Sequence, residues 1–323
     1  MKPSFSVIVF TVLAGAGYGL WAWLGLALGM GVYATGISAL MLPLAVGFVL
    51  AGAGLLASTA HLGKPWRAWR GLTQWKSSWL SREAVLALAS FVPALMLAAM
   101  RHLARDTLAV RGTGLLLAML ALATIYCTAR IYSSLKPIDA WRLPQVVAGY
   151  LLLGLASGAV WLWQCLSINL RDRMDTIAPV THAGWLTGLA LLVLLAGLVK
   201  RSYWRQLDAI NARPAVADAG AATGLDRFGV VRPLEAPASE PAYLMREMGY
   251  VLARRHRQPL RRLAMTASFV LPLFAAGVAA LVPAAEAWLA PLALLSVMGG
   301  LFMERWLFFA EARHRVAAYF PAA

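Results

Sequence analysis

The sequence is poor in charge, in acid and in cysteine. Only 13% of its 323 residues are Asp, Glu, Lys or Arg, while 61% are hydrophobic and the mean hydropathy is +0.69. A soluble domain of this length needs far more polar surface to cover it, so the composition excludes one and marks an integral membrane protein. Both cysteines, Cys127 and Cys165, fall in or at the ends of apolar runs without CxxC spacing, which leaves a disulfide framework or a thiolate metal site unsupported. They read as packing residues. The period-two alternation of strands is missing too, and the apolar runs are rich in Leu, Ala and Gly, so a helical bundle is expected and a barrel is not. Acid is scarce at 14 Asp and Glu against 29 Lys and Arg, a net charge of +15. In another setting that excess would suggest nucleic acid. Among apolar spans it points to basic loops beside anionic lipid headgroups.

What the chain has in abundance is apolar runs long enough, at about twenty residues, to cross a hydrocarbon core. They lie near 4–30, 37–60, 84–100, 112–132, 144–168, 181–199, 264–284 and 287–310. The expected fold is therefore an all-α integral membrane protein, one polytopic domain over 1–323 with eight transmembrane helices. The first run extends to Met30, past the roughly 7–15 residues of a signal-peptide core, and is read as a retained helix. Small residues in AGAGYGLW (14–21) and GFVLAGAG (47–54) allow close backbone approach. A hydrophilic excursion over 200–263 separates helices six and seven. Its first half has the composition of a loop, and its second half, from about Tyr243 to Arg262, that of a basic amphipathic helix. A loop of this length is uncommon for mere connection, which makes it a candidate docking arm as well as a solvated connector.

Alternating spans sort the loops onto two sides. One side carries 24 of the 29 Lys and Arg residues, and 12 against 5 remain when the long loop is left out. By the positive-inside rule that side, with both termini, residues 61–83 and the arm, is expected to be cytoplasmic.

The stretch HLGKPWRAWRGLTQWKSSWLSRE, residues 61–83, is the densest in chemistry. His61 closes the second span, Gly63 and Pro65 break the helix, and Lys64, Arg67, Arg70 and Lys76 alternate with Trp66, Trp69, Trp75 and Trp79. An interfacial belt of tryptophan and basic residues accounts for most of this. It does not account for His61 with Glu83. A carboxylate opening a span is costly unless paired or wet, although one at a helix N-terminus gains about 0.3–1 kcal/mol. Reduction of a quinone takes two electrons and two protons, and a histidine titrating near neutral pH can donate a hydrogen bond and relay a proton. A carboxylate whose pKa is raised by burial can pass a proton on, and a nearby arginine would hold it in place while lowering that pKa.

HLGKPWRAW followed by SWLSRE resembles the signature of the membrane anchor subunits of the dimethyl sulfoxide reductase family. ARIYSSL (129–135) and the arginine of FMERWLFF (302–309) resemble further patches of it. The resemblance runs over all eight spans, with 61–83 its specific part. It implies an anchor, one that the placement of the histidines favours as haem-free, that holds a molybdopterin catalytic subunit and a four-cluster ferredoxin-like iron–sulfur subunit at the membrane and exchanges electrons with a quinone, ubiquinone or menaquinone. It places the quinone and proton-relay roles on His61, Arg67 and Glu83, with Gly63, Lys64, Trp66, Arg130, Tyr132 and Arg305 as weaker quinone-site or docking candidates. The long arm and the cytoplasmic basic face depart from the periplasm-facing reductase anchor and look more like the anchor of the cytoplasm-facing sulfite-oxidising molybdoenzymes.

Other classes fit less well. A secondary transporter would want ionisable residues near the bilayer midplane, whereas charge here gathers at the edges. A di-haem cytochrome would need facing histidine pairs within the spans. His61 and His182 fall at opposite edges, His102 lies in the third loop, and His256 and His314 belong to hydrophilic segments.

Overall fold

A computed structural model describes residues 5–32, 37–60, 64–100, 107–172, 179–212, 220, 223–231 and 251–315. Among these, eight helices are long and apolar enough to cross a membrane: α1 (Phe5–Gly29), α2 (Ile37–Thr59), α3 (Trp79–Ala99), α4 (Leu108–Ser133), α5 (Gln145–Asp172), α6 (Pro179–Asn211), α7 (Arg257–Leu281) and α8 (Glu286–Ala310). They form an up-and-down bundle, so the start of each odd-numbered helix and the end of each even-numbered one share one end.

The centre of the bundle is α1, which packs against α2, α4 and α5 and touches α8. Its small residues make this possible. A Cβ on Gly17 would lie 2.7 Å from the Ala51 amide nitrogen of α2, and one on Gly19 or Gly158 would collide with the backbone of α5 or α1 respectively. The two backbones therefore touch, which maximises dispersion contact where lipid supplies no hydrophobic drive between helices. Aromatic rings fill the wider gaps and tie their polar atoms to neighbouring carbonyls: Trp21 Nε1 donates to Leu44 O at 3.3 Å, Trp23 Nε1 to Leu155 O at 2.9 Å and the Tyr18 hydroxyl to Ala87 O at 3.3 Å. These bonds satisfy donors that would otherwise be buried alone.

Two helices exceed their expected bounds. Instead of stopping at 199, α6 continues to Asn211, because Lys200 is neutralised by Glu304 of α8 while Tyr203, Trp204 and Leu207 are buried. Instead of starting at 264, α7 begins at Arg257, because Arg261 is buried in ion pairs with Asp208 of α6 and with Glu311 beyond α8. The hydrophilic segment between them is correspondingly shorter; of the expected amphipathic helix, Val251–Arg255 and the residues from Arg257 on are helical, while 243–250, with 232–242, lie outside the described residues. A single π-helical turn, Thr266–Val270, interrupts α7, and Ser296 of α8 donates to Ala267 O there at 2.8 Å. Irregular turns inside a span persist when a neighbouring side chain satisfies the displaced carbonyl.

The same end of the bundle carries two structured connections. A 3₁₀ segment, Pro65–Gln74, precedes α3, and a second, Asp139–Arg142, precedes α5. Arg315 clasps the second with a bidentate contact to Asp139, at 2.6 and 3.0 Å, and donates its amide to Pro137 O at 2.9 Å.

Candidate functional site

The approach to α3 is built by local rules. Pro65 fixes the first turn of the 3₁₀ segment, and Ser78 caps α3 by accepting from the Ser81 amide at 3.4 Å. Arg82 reaches back to the last carbonyls of the connection, with Nε 2.9 Å from Trp75 O and Nη2 2.6 Å from Lys76 O. Its guanidinium also stacks 4.4 Å over the Trp79 ring, and that of Arg130 lies 5.1 Å over the same ring. With Arg82 turned outward, the next residue faces in. Glu83 is 4% exposed and its carboxylate accepts a hydrogen bond from the Thr128 hydroxyl of α4.

Thr128 stands on the wall of a cavity of about 30 Å³ between α1, α4, α5 and α8, together with Thr11, Tyr18, Tyr150, Ser157 and Arg305. Arg305 contacts Glu304 beside it and lies 4.2 Å over the Tyr150 ring, while Glu304 also contacts Lys200. Tyr132 completes this side of the bundle, packing on Trp141, Tyr150, Phe308 and Phe309 with ring centroids 5.3–5.7 Å apart. Towards the end of the bundle, Arg261 grips Glu311 through two nitrogens at 2.8 and 3.1 Å and Asp208 at 2.7 Å. Burial pushes the Glu311 carboxyl above the usual carboxylate range, and the Arg261 guanidinium pulls against that rise.

The residues expected from sequence therefore divide. His61 and Gly63 lie outside the described residues. Lys64, Trp66 and Arg67 are exposed around the first 3₁₀ segment, and Arg67 makes no ion pair with Glu83 among the described residues. Glu83 and Arg305 meet the same cavity, one through Thr128 and one directly, while Tyr132 stacks on Tyr150 of its wall. Arg130, half-buried, belongs to the Trp79 stack. No group of three or more His, Cys, Asp or Glu among the described residues could hold a metal ion. Sequence reasoning missed Thr128, Lys200 and Glu304. A signal existed for the last two, since a lysine and a glutamate at similar distances from the same-side ends of two spans can pair across them.

Residues 1–228 match the family model of DMSO reductase anchor subunits (DmsC). The chain belongs to that family of membrane anchors. A sulfite dehydrogenase subunit of Allochromatium vinosum is 32% identical to it, over 100% of this chain and 99% of the relative. The anchor is thus a multi-pass membrane protein of eight spans, with most of its buried charge, Glu83, Lys200, Arg261, Glu304, Arg305 and Glu311, towards one end and Glu286 at the other.

Proposed function

We propose that this anchor passes electrons from an iron–sulfur subunit to quinone at the end of the bundle formed by residues 61–83. The catalytic partner would be a molybdopterin subunit oxidising sulfite, in keeping with the name of the Allochromatium vinosum relative. The complex would sit in the bacterial inner membrane with its docking face in the cytoplasm, in line with the excess of Lys and Arg on that side. The exposed basic residues of the first 3₁₀ segment and the arm of 200–263 would meet an acidic partner surface, where charge complementarity speeds encounter.

The observation that carries this reading is Glu83, a carboxylate buried in the first turns of α3 with a single hydroxyl donor. An intramembrane carboxylate without a cation is expensive and is kept where protons are handled. On this reading quinone would sit outside the cavity. About 30 Å³ is far below the roughly 150 Å³ that accommodates a benzene ring. Quinone would therefore approach from the 61–83 side, with His61 and Glu83 as proton donors to its carbonyl oxygens and Arg67 and Trp66 at the mouth.

Replacing Glu83 with Gln, or His61 with Ala, in the assembled complex tests the reading. Sulfite oxidation coupled to decylubiquinone is expected to fall at least about tenfold relative to dye-coupled oxidation in the same preparation, a floor set below the roughly 10²–10⁴-fold that a positioned proton donor contributes. An unchanged ratio for both variants overturns the assignment.

A further inference from the structure

Two guanidinium groups from different helices share one indole where α3 and α4 meet the membrane edge. Arg82 lies 4.4 Å and Arg130 5.1 Å from the centre of the Trp79 ring, and the ring of Tyr126 stands edge-on to Trp79 at 6.0 Å. Helical spacing supplies the arrangement. Trp79 and Arg82 are three residues apart at the start of α3, and Tyr126 and Arg130 four apart near the end of α4, so each pair shares a face of its helix. Each cation is attracted by the ring quadrupole, but the two repel each other, and no carboxylate answers them among the described residues. Glu83 turns its carboxylate to Thr128 inside the bundle, and Asp139, beyond the end of α4, is held by Arg315. Lys76, whose carbonyl Arg82 holds, adds a third positive charge.

The hydrogen bonding is as incomplete as the charge. Arg82 uses Nε and Nη2 on the Trp75 and Lys76 carbonyls, which leaves Nη1 without a partner among the described residues, and the half-buried Arg130 has no partner there, its Nε being enclosed and unmatched. Enclosed donors without acceptors are costly. What satisfies both groups is an anion with several acceptor oxygens. The surroundings say which one. From the arginines towards the bilayer middle, exposed apolar side chains continue at helical spacing on both helices, Val85, Leu88 and Val92 on α3 and Met119 and Leu115 on α4. The two helices pack along each other, so acyl chains have an apolar track leading away from the charged pair. A carboxylate of a partner protein would neutralise the guanidinium groups as well, but it has no use for that track. A neutral quinone would leave both charges standing.

We infer that Trp79, Arg82, Tyr126 and Arg130 form a binding site for the phosphate of an anionic phospholipid whose acyl chains lie along the outer face of α3 and α4. Guanidinium and phosphate match in fork geometry and pair through charge-assisted hydrogen bonds. Indole and phenol rings settle at headgroup depth, and basic pockets between spans hold anionic headgroups in this way. Because Arg82 also ties the end of the connection before α3, the bound lipid braces the segment that carries Trp66 and Arg67. The inference needs only a membrane-embedded chain and is independent of the quinone reading.

Native mass spectrometry of the detergent-extracted protein, with the subunits it carries, tests the site by titration with phosphatidylglycerol, phosphatidylcholine or inorganic phosphate. One phosphatidylglycerol is expected to bind at least about fivefold tighter than phosphatidylcholine, whose choline ammonium meets the two cations; that factor is the contribution of one basic side chain at an anionic membrane surface. Inorganic phosphate at millimolar concentration, which lacks the chains, is expected to leave the lipid in place. Arg130→Gln is expected to weaken phosphatidylglycerol by about the same fivefold factor, whereas Lys136→Gln, which removes an exposed cation at the same end, leaves it unchanged. Equal affinity for the two lipids overturns the proposal and needs no variant. Native affinity in Arg130→Gln overturns it too, as does equal weakening in Lys136→Gln, which would mean diffuse surface charge. Displacement by inorganic phosphate would make this a free-anion site, and loss of a subunit from Arg130→Gln with lipid binding intact would make it a protein contact; either result sinks the lipid assignment.

Discussion

At the scale of single residues, what decides each charge in this protein is its partner on another helix. Arg261 shows this most directly. It holds Glu311 and Asp208 at once, so Arg261→Leu strands a carboxylate that is 4% exposed. Removing one member of such a buried pair is expected to cost about 3–5 kcal/mol, seen as a lower thermal midpoint of the detergent-solubilised protein. The pH dependence has a definite sign. Burial already raises the Glu311 carboxyl, so the folded state binds its proton more tightly than the unfolded chain does. Stability from this group is greatest at low pH and falls as pH rises through and above the ordinary carboxylate range. Without Arg261 the rise is larger, so the variant should lose more stability between pH 5 and pH 8 than the native protein does. Measuring both midpoints at the two pH values checks it. Glu83 was legible in the sequence because a carboxylate at the head of an apolar run stands out. Lys200 and Glu304 left a fainter signal, a lysine and a glutamate towards same-side ends of two spans, and only packing reveals that they pair.

At the scale of helices, the spans themselves were legible and their ends were not. Apolar length gives eight crossings, but the extra turns of α6 and α7 depend on ion pairs between helices that no single run contains. Helix contact depends on glycine in a way that can be tested by contrast. Gly158 of α5 abuts Gly19 and Leu20 of α1, whereas a side chain at Gly188 of α6 would meet nothing within 4 Å. Gly158→Leu forces the helices apart and is expected to cost about 1–3 kcal/mol or more, with a broadened gel-filtration peak. Gly188→Leu, on an open face, should leave the thermal midpoint unchanged. Equal losses in the two would show that α1 and α5 do not depend on close approach.

At the scale of the whole molecule, one end of the bundle bears the 3₁₀ segments before α3 and α5, the clasp between Arg315 and Asp139 and the cluster around Arg261. Its expected cytoplasmic placement can be checked with an alkaline phosphatase fusion after Ala323. Low phosphatase activity at normal expression is the expected result. High activity would place this end in the periplasm and favour a quinol-oxidising partner of a periplasmic reductase. The central position of α1 has a further consequence, for synthesis. Of the eight spans α1 is the most deeply buried, at 72%, and its neighbours α4, α5 and α8 are made after it. For much of translation its glycine-lined faces have lipid or the insertion machinery against them instead of protein. The hub is laid down before its rim, so a chain released after α4 would offer membrane proteases a bare groove that the finished protein never shows.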